Sequence, residues 1–130
     1  MRSNVCHSSC ACNAQVQRTS GQWQSAEYST FSISDEAGKY RLSVSGYSGD
    51  AGDALAGIRN AIRNADGMMF STPDQDNDLN PETHRAAMNN GCGWWFGGLS
   101  LSRLNYDTNA RWMKASTIDV EFSRMLVRAN

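Results

Sequence analysis

The alternation of polar and apolar positions in the first half of the chain predicts one clear β-strand, over residues 39–47. Tyr40, Leu42 and Val44 occupy every second position there. Side chains at that spacing point to one face of a strand, so the strand is predicted to be half-buried. Gly46 then indicates that a turn follows.

A helical period follows over residues 53–64. Leu55, Ile58 and Ile62 are separated by three and four positions, which places them on one face of an α-helix. The pattern predicts a short amphipathic helix, weakened by Gly57 because glycine lowers helix propensity.

Three more apolar runs are predicted to be short strands: Gly67–Thr72, Gly93–Phe96 and Ser123–Asn130. Short strands, few helices and much loop predict an α+β fold built on a small antiparallel sheet, with short helices and long loops. Residues 1–20 are rich in Cys and Ser and show neither the alternation of a strand nor the period of a helix. We therefore expect an irregular leader over residues 1–20 and one domain over residues 21–130.

Composition narrows the class of protein. Hydrophobic residues make up 40% of the 130 positions and charged residues 19%, as in an ordinary globular domain. A net charge of -1 with scattered basic residues argues against nucleic acid as a partner. No stretch is long and apolar enough to be predicted as a membrane span. The N terminus lacks a continuous apolar segment, so we do not interpret it as a signal peptide.

The four cysteines allow three pairings and leave the redox compartment open. They are Cys6, Cys10, Cys12 and Cys92. With His7, the first three supply ligands that zinc accepts, but their spacing matches no common zinc module. Disulfides or idle thiols are the favoured interpretation.

An acidic stretch over residues 71–84 carries the most specific chemistry. Asp74, Asp76 and Asp78 alternate along it, and it contains no Lys or Arg before position 85. Carboxylates this close repel one another unless they are solvated or neutralised by a cation. Ca²⁺ is the natural candidate because it prefers six to eight oxygen ligands. The alternative is a solvated acidic turn, since Asp, Asn and Pro are also common in turns.

An EF-hand does not explain this stretch. A loop that starts at Asp74 places Leu79 where the motif needs Gly and Arg85 where it needs Glu. A start two residues later fails in the same way, with Pro81 and Ala87 at those positions. A non-helical calcium loop therefore remains.

Motifs of enzyme sites are missing from the sequence. His7 and His84 are the two histidines, and no G-x-S-x-G, H-E-x-x-H or Walker A motif occurs. We expect a protein that is not an enzyme.

Three blocks of the sequence resemble the C-terminal domain of fibrinogen, a family that includes ficolins, tachylectins, tenascins and angiopoietins. They are YRLSVSGYSGDAGDAL (Tyr40–Leu55), GMMFSTPDQDND (Gly67–Asp78) and GWWF (Gly93–Phe96). The resemblance extends over roughly residues 23–130 and implies a fibrinogen C-terminal-like fold.

The resemblance also implies a calcium site. In the family, the second and third Asp of the D-x-D-x-D run bind the ion through their side chains, which here are Asp76 and Asp78. In the family, the backbone carbonyls two and four residues after the third Asp complete the ligands of the ion. Counted from Asp78, these are the carbonyls of Asn80 and Glu82. Asp74 is then a turn residue.

The lectin branch of the family binds acetyl groups beside this loop, beyond the G-W-W segment. The resemblance implies that Phe96, Ser100 and Tyr106 occupy that pocket, because an acetyl group needs an apolar wall and a hydrogen-bond donor. The alternative is that these aromatic residues belong to the core. Where the family has a disulfide near this pocket, Ala86 and Leu99 stand here, and most of its N-terminal subdomain is absent.

These observations lead to one functional hypothesis and two alternatives. The first is a secreted calcium-binding recognition module, lectin-like, that binds acetylated glycans or pathogen surfaces in innate immunity. The second is an extracellular-matrix or protein-interaction domain that binds no sugar, and the third is an incomplete, inactive family member. The expected partners are acetylated carbohydrates or glycoproteins, with homo-oligomers as a further assembly.

Overall fold

The computed structural model describes residues 10–88, 91–106, 110–114 and 117–130. The strands are β1 (Cys10–Arg18), β2 (Trp23–Ile33), β3 (Leu42–Gly49), β4 (Ser102–Arg103), β5 (Arg111–Met113) and β6 (Thr117–Ala129), with a 3-10 helix at Ala61–Arg63 between β3 and β4.

The strands form one six-stranded sheet in the order β3-β2-β1-β6-β5-β4. Every neighbouring pair is antiparallel, which confirms the predicted antiparallel sheet. The longest ladder joins β1 to β6, from Cys10 opposite Ala129 to Arg18 opposite Val120. The first and last strands of the described chain therefore lie side by side at the centre of the sheet.

The irregular leader predicted for residues 1–20 is wrong for residues 10–18, because these residues form β1. Cys10, Cys12, Ala14 and Val16 are buried at every second position. Their side chains are small or of moderate size, so their alternation produces a weak hydrophobic signal. Packing against β2 and β6 supplies the burial. Residues 1–9 lie outside the described part of the chain.

The α-helix predicted over residues 53–64 is also wrong: turns and the short 3-10 helix occupy this stretch. Leu55 is fully buried, whereas Ile62 is exposed, so the two do not share one buried face. The side-chain amide of Asn64 accepts from the N–H of Ile58 (3.1 Å) and donates to its carbonyl oxygen (2.9 Å). These bonds close a compact loop that competes with helical pairing.

The remaining predicted strands have mixed outcomes. The strand predicted at 39–47 forms as β3 but begins at Leu42, because Tyr40 adopts a positive φ of 53°. The predicted final strand is part of β6. Gly67–Thr72 and Gly93–Phe96 form no strands and meet through one bridge between Ser71 and Trp94. The described residues contain no α-helix, so the short helices of the predicted α+β fold are not confirmed. The single short helix among them, of the 3-10 type, is far too short to cross a membrane.

The hydrophobic core covers one face of the sheet. Residues opposite one another across antiparallel strands share a face, and the inner rows include Cys12 beside Tyr28 and Ala14 beside Ala26. The long loops between β3 and β6 fold over these rows and add the large aromatic residues. The largest fully buried side chains are Trp94, Trp112, Tyr28, Phe96, Leu42, Leu55, Ile118 and Val16.

Candidate functional site

The acidic loop is anchored to the core where it begins. Ser71 is fully buried, and its backbone exchanges two hydrogen bonds with Trp94, of 3.0 and 3.1 Å. Thr72 and Gln75 then pair with each other in a tight turn, with two bonds of 3.0 Å. The G-W-W segment and the acidic loop are therefore held side by side.

Asn77 ties the middle of the loop to this anchor. Its backbone N–H donates to Ser71 Oγ at 3.0 Å, and its side-chain amide donates to the Phe70 carbonyl oxygen at 2.8 Å. This role of Asn77 was not predicted from the sequence. The sequence feature that could have indicated it is the position of Asn77 between Asp76 and Asp78. An Asn side chain can donate a hydrogen bond, whereas an ionised Asp side chain cannot.

Asp76 and Asp78 each organise the backbone that follows. Asp76 Oδ1 accepts from the N–H of Asp78 at 3.1 Å, and Asp78 Oδ1 accepts from the N–H of Asn80 at 2.8 Å. Asn80 Oδ1 in turn accepts from the N–H groups of Glu82 (2.9 Å) and Thr83 (3.2 Å). Three consecutive turns of this kind give the loop a defined path without a helix.

The oxygen donors of this loop are of the type that calcium prefers. A carboxylate oxygen that accepts one N–H keeps a second lone pair for a cation, and Asp76 is exposed while Asp78 is partly exposed. Among the described residues no group of three His, Cys, Asp or Glu side chains is arranged to hold a metal. Two carboxylates alone do not complete a calcium shell, so backbone carbonyls such as those of Asn80 and Glu82 would have to supply further ligands.

Asp74 stands apart from this pair. Thr72 donates its hydroxyl to Asp74 Oδ1 at 2.7 Å, and this bond lowers the pKa of the Asp74 carboxyl group. The His84 ring nitrogen lies 3.0 Å from the Thr72 carbonyl oxygen. Asp74 therefore closes the turn at Thr72 rather than extending the Asp76 and Asp78 series.

Of the three residues predicted to line an acetyl pocket, the two aromatic ones lie together and are buried. Phe96 is 1% exposed and Tyr106 is 7% exposed, and their ring centroids are 6.0 Å apart. Burial raises the pKa of the Tyr106 hydroxyl. Ser100 is partly exposed, and its Oγ accepts from the N–H of Gly97 at 3.2 Å. The guanidinium of Arg103 lies 5.1 Å from the Tyr106 ring centroid.

A chain of hydrogen bonds links the acidic loop to this aromatic pair. The backbone N–H of Arg85 donates to Asp78 Oδ2 at 2.9 Å. The carbonyl oxygen of the same residue accepts from the Tyr106 hydroxyl at 3.4 Å. The Asp78 carboxylate is thus connected to the Tyr106 hydroxyl through the backbone of Arg85.

Among the described cysteines, Cys12 and Cys92 form no cross-link in this region. Cys10 is disulfide-bonded, whereas Cys12 and Cys92 are free. Ala86 is buried and Leu99 is exposed, so the two positions where the family has cysteines differ in environment.

Comparison with known proteins identifies the family. The model of the C-terminal globular domain of fibrinogen beta and gamma chains matches residues 5–121. Protein scabrous of Drosophila melanogaster is 42% identical over 108 residues, covering 79% of this chain and 12% of that protein. The techylectin-like protein of Phoneutria nigriventer is 40% identical over 80 residues, 62% of this chain and 32% of its own length. The human fibrinogen gamma chain is 34% identical over 117 residues, 82% of this chain and 25% of its own length.

Solved structures share the fold. The fibrinogen-like globe domain of human ANGPTL2 superposes with a TM-score of 0.77 at 24% identity, covering 94% of this chain and 59% of that one. A lamprey fibrin D-dimer, complexed with the peptide Gly-His-Arg-Pro-amide, gives a TM-score of 0.76 at 24% identity, over 92% of this chain and 45% of that one. The chain therefore spans between an eighth and a third of the curated relatives named above. It belongs to the fibrinogen C-terminal domain family, whose members are binding modules rather than enzymes.

Proposed function

We propose that this chain is an extracellular recognition module in which Asp76 and Asp78 bind one Ca²⁺, and in which the ordered loop shapes the surface beside it. The observation that supports this most directly is the pair of bonds that Arg85 makes, to the Asp78 carboxylate and to the Tyr106 hydroxyl. The backbone of Arg85 thus connects the proposed calcium ligand Asp78 to the aromatic pair.

The calcium ion would neutralise the Asp76 and Asp78 carboxylates, which otherwise repel each other. The chain's own residues supply the rest of the order. Asp78 holds the N–H groups of Asn80 and Arg85 with its two oxygens, which fixes the carboxylate in one orientation. Asn80 and Glu82 are the proposed carbonyl ligands, because Asn80 Oδ1 holds the N–H of Glu82 and so restrains the backbone between them.

The proposed ligand is an acetylated glycan, bound next to Ser100 and Tyr106 as in the lectin branch of the family. Ser100 is partly exposed, and its hydroxyl can donate to an acetyl carbonyl while its oxygen accepts from Gly97. A relative named for lectin-like character, the techylectin-like protein, supports this class of ligand. Recognition of pathogen surfaces by a secreted protein is the corresponding biological role.

A second candidate is a protein-interaction module that keeps the calcium loop and binds no sugar. The burial of Phe96 and Tyr106 favours it, because a ring that is 1% or 7% exposed leaves little apolar wall for an acetyl methyl group. Bovine angiopoietin-4 is 43% identical over 91 residues, so relatives of both kinds are similar to this chain.

Affinity chromatography on acetylated resin distinguishes the two candidates. If glycan binding is correct, the protein is retained in calcium and eluted by free N-acetylglucosamine or by EGTA. Ser100→Ala should weaken retention, whereas the matched change Ser32→Ala, in β2, should not. Passage through the resin in calcium, combined with a calcium-dependent rise in thermal stability, would support the protein-interaction module. Absence of any calcium response would contradict the proposal as a whole.

A further inference from the structure

The last strand, β6, leaves one of its two edges open along most of its length. It pairs with β5 over Thr117–Asp119, and one further bond joins the Val120 N–H to the Ala110 carbonyl oxygen at 3.0 Å. Over residues 121–129, which we call the free edge, no strand in the described part of the chain pairs with β6 on the β5 side. The backbone groups of a strand point alternately to its two sides. The free edge therefore presents N–H and carbonyl groups that another strand can pair with.

The two outermost edges of the sheet are protected, whereas the free edge is not. On β3 the Val44 N–H donates to Asp66 Oδ1 at 2.9 Å, so a loop covers the start of that strand. Gly46 then interrupts β3 with a positive φ of 71°. At the opposite edge, β4 is two residues long. The free edge is longer than β4, no loop of the described chain covers it, and it contains no proline, glycine or lysine, which are means by which proteins blunt an edge.

Apolar side chains on both faces of the free edge remain in contact with solvent. Val127 lies opposite the buried Cys12, so it is on the inner face of the sheet, which carries the core. Leu126 and Phe122 are on the outer face, which points away from the core, because successive residues of a strand alternate between faces. Val127 and Leu126 are each 51% exposed and Phe122 is 61% exposed. A strand paired with this edge would place cross-strand neighbours beside all three.

The order of side chains along the free edge makes it complementary to itself. Met125 is the midpoint of residues 121–129, so an antiparallel pair of β6 strands centred on Met125 gives every residue of the free edge a partner. In that register Arg128 lies opposite Phe122, where a guanidinium and an aromatic ring attract each other, and Arg124 lies opposite Leu126. A centre one residue earlier would place Arg124 opposite Arg124, and one residue later opposite Arg128. Like charges directly opposite each other destabilise a strand pair.

We propose that two copies of this chain associate through the free edge, with their β6 strands antiparallel about a two-fold axis at Met125. The two sheets would then form one continuous sheet, and the same surface of each copy would contact the other, as in most homodimers. The interface contains no residue of the acidic loop and none of Phe96, Ser100 and Tyr106. It therefore does not depend on calcium, and it stands or falls separately from the proposed recognition site.

Sedimentation velocity from micromolar to millimolar protein, in calcium and again in EGTA, tests the association. The original chain should change from monomer to dimer equally in both buffers. Leu126→Lys places a cation opposite Arg124 of the second copy and should weaken dimerisation at least about tenfold, which is 1.4 kcal/mol. Leu126→Glu changes the same exposed position but places an anion there, so it should dimerise at least as well as the original chain. Leu79→Lys is the matched control, because Leu79 is 50% exposed and lies outside the interface.

Cross-linking tests the register. Cys92, which is free and partly exposed, is first replaced by serine. In that background Met125→Cys should give a disulfide-linked dimer on mild oxidation, because Cα atoms of directly opposed residues are about 4.5–5.5 Å apart, within the range of a disulfide. Ser123→Cys should give none, since its two copies would be four residues apart along the strands.

Three results would overturn the proposed dimer. The first is a monomer at every concentration, which would leave the free edge to a different polypeptide. The second is an equal loss of dimer in Leu126→Lys and Leu126→Glu. The third is equal cross-linking through positions 125 and 123.

Discussion

The backbone N–H of Arg85 lies 2.9 Å from Oδ2 of Asp78, and this hydrogen bond closes the acidic loop seven residues after the aspartate. The other oxygen of the same carboxylate holds Asn80. One side chain therefore fixes both the middle and the end of the loop, and it is also one of the two proposed side-chain ligands of calcium.

Asp78→Ala should remove the response to calcium, whereas Asp74→Ala should keep it. In the original chain, calcium at a hundred times its dissociation constant should stabilise the fold by about 2.7 kcal/mol. Thermal unfolding in calcium and in EGTA measures this difference. Asp74 is the matched control because it bonds to Thr72 and belongs to the same acidic run.

In EGTA, Asp78→Ala should still lower the free energy of unfolding by about 1–2 kcal/mol, because the N–H groups of Asn80 and Arg85 lose a charged acceptor. An equal loss of calcium response in Asp74→Ala, or a calcium response that survives in Asp78→Ala, would contradict the proposed ligands.

Trp112→Ala should destabilise the protein by about 3–5 kcal/mol, the usual cost of removing a large core aromatic residue. Trp112 is fully buried, and its indole N–H donates to the Gly52 carbonyl oxygen at 2.8 Å. Trp23→Ala should cost much less, since Trp23 is 44% exposed and lies on the outer face beneath Arg124. Urea unfolding followed by circular dichroism compares the two, and equal losses would mean that the assignment of faces is incorrect.

Gly49→Ala should destabilise the fold more than Gly21→Ala. Both glycines have positive φ, 127° and 91°, so both substitutions cost about 1 kcal/mol or more in backbone strain. A Cβ atom added at Gly49 would also lie 2.3 Å from the Ser25 carbonyl oxygen, whereas a Cβ atom at Gly21 would have nothing within 4 Å. An additional loss of about 1–3 kcal/mol is expected from this overlap. Melting temperatures of the two variants measure the difference, and a larger effect at position 21 would contradict it.

Stability should fall as the pH rises through the alkaline range, partly because of Cys12. Burial raises the pKa of this thiol from 9.0 to about 11. Since the folded state favours the protonated thiol, the stabilisation is complete below about pH 9 and is lost as the pH approaches about 11. A shift of two units corresponds to about 3 kcal/mol. Burial, followed by the charge of Asp53, also raises the pKa of the Tyr28 hydroxyl, which adds a change in the same direction.

Urea unfolding at a series of pH values, for the original chain and for Cys12→Ala, measures this contribution. The variant should lose less stability between about pH 9 and about pH 11. Alkylation provides a second readout, because the partly exposed Cys92 should react before the buried Cys12. An identical pH dependence in both proteins would contradict the assignment.

Some of the fold could be predicted because periodicity depends on nearby residues alone. Leu42 and Val44 alternate in the sequence and are both buried in β3. In β2 the same signal is broken, since Tyr28 and Phe31 are both buried but are three positions apart. A shift in register beside Cys10 and Cys12 accounts for the extra residue. Such a bulge depends on the neighbouring strand, so a single sequence does not reveal it.

The candidate site was predictable in its composition but not in its contacts. The alternation of Asp76 and Asp78 indicated a loop without a helix, and in the structure both carboxylates hold successive turns of such a loop. Their binding of calcium stays a prediction. The roles of Asn77 and Arg85 depend on where the loop meets the core, which no local pattern specifies. For Phe96, the residue type alone did not decide between pocket and core, and the structure places it in the core.

The ladder between β1 and β6 has a consequence for how the molecule is made. Its contacts join residues more than a hundred positions apart, such as Cys10 and Ala129, and long closures of this kind slow folding. One edge of β1 pairs with β2 and the other with β6. The second edge has no hydrogen-bonding partner until the residues of β6 have left the ribosome. Pairing at this edge must therefore wait until β6 has been synthesised, and a chain that stopped before β6 would leave the backbone N–H and carbonyl groups along that edge of β1 without partners.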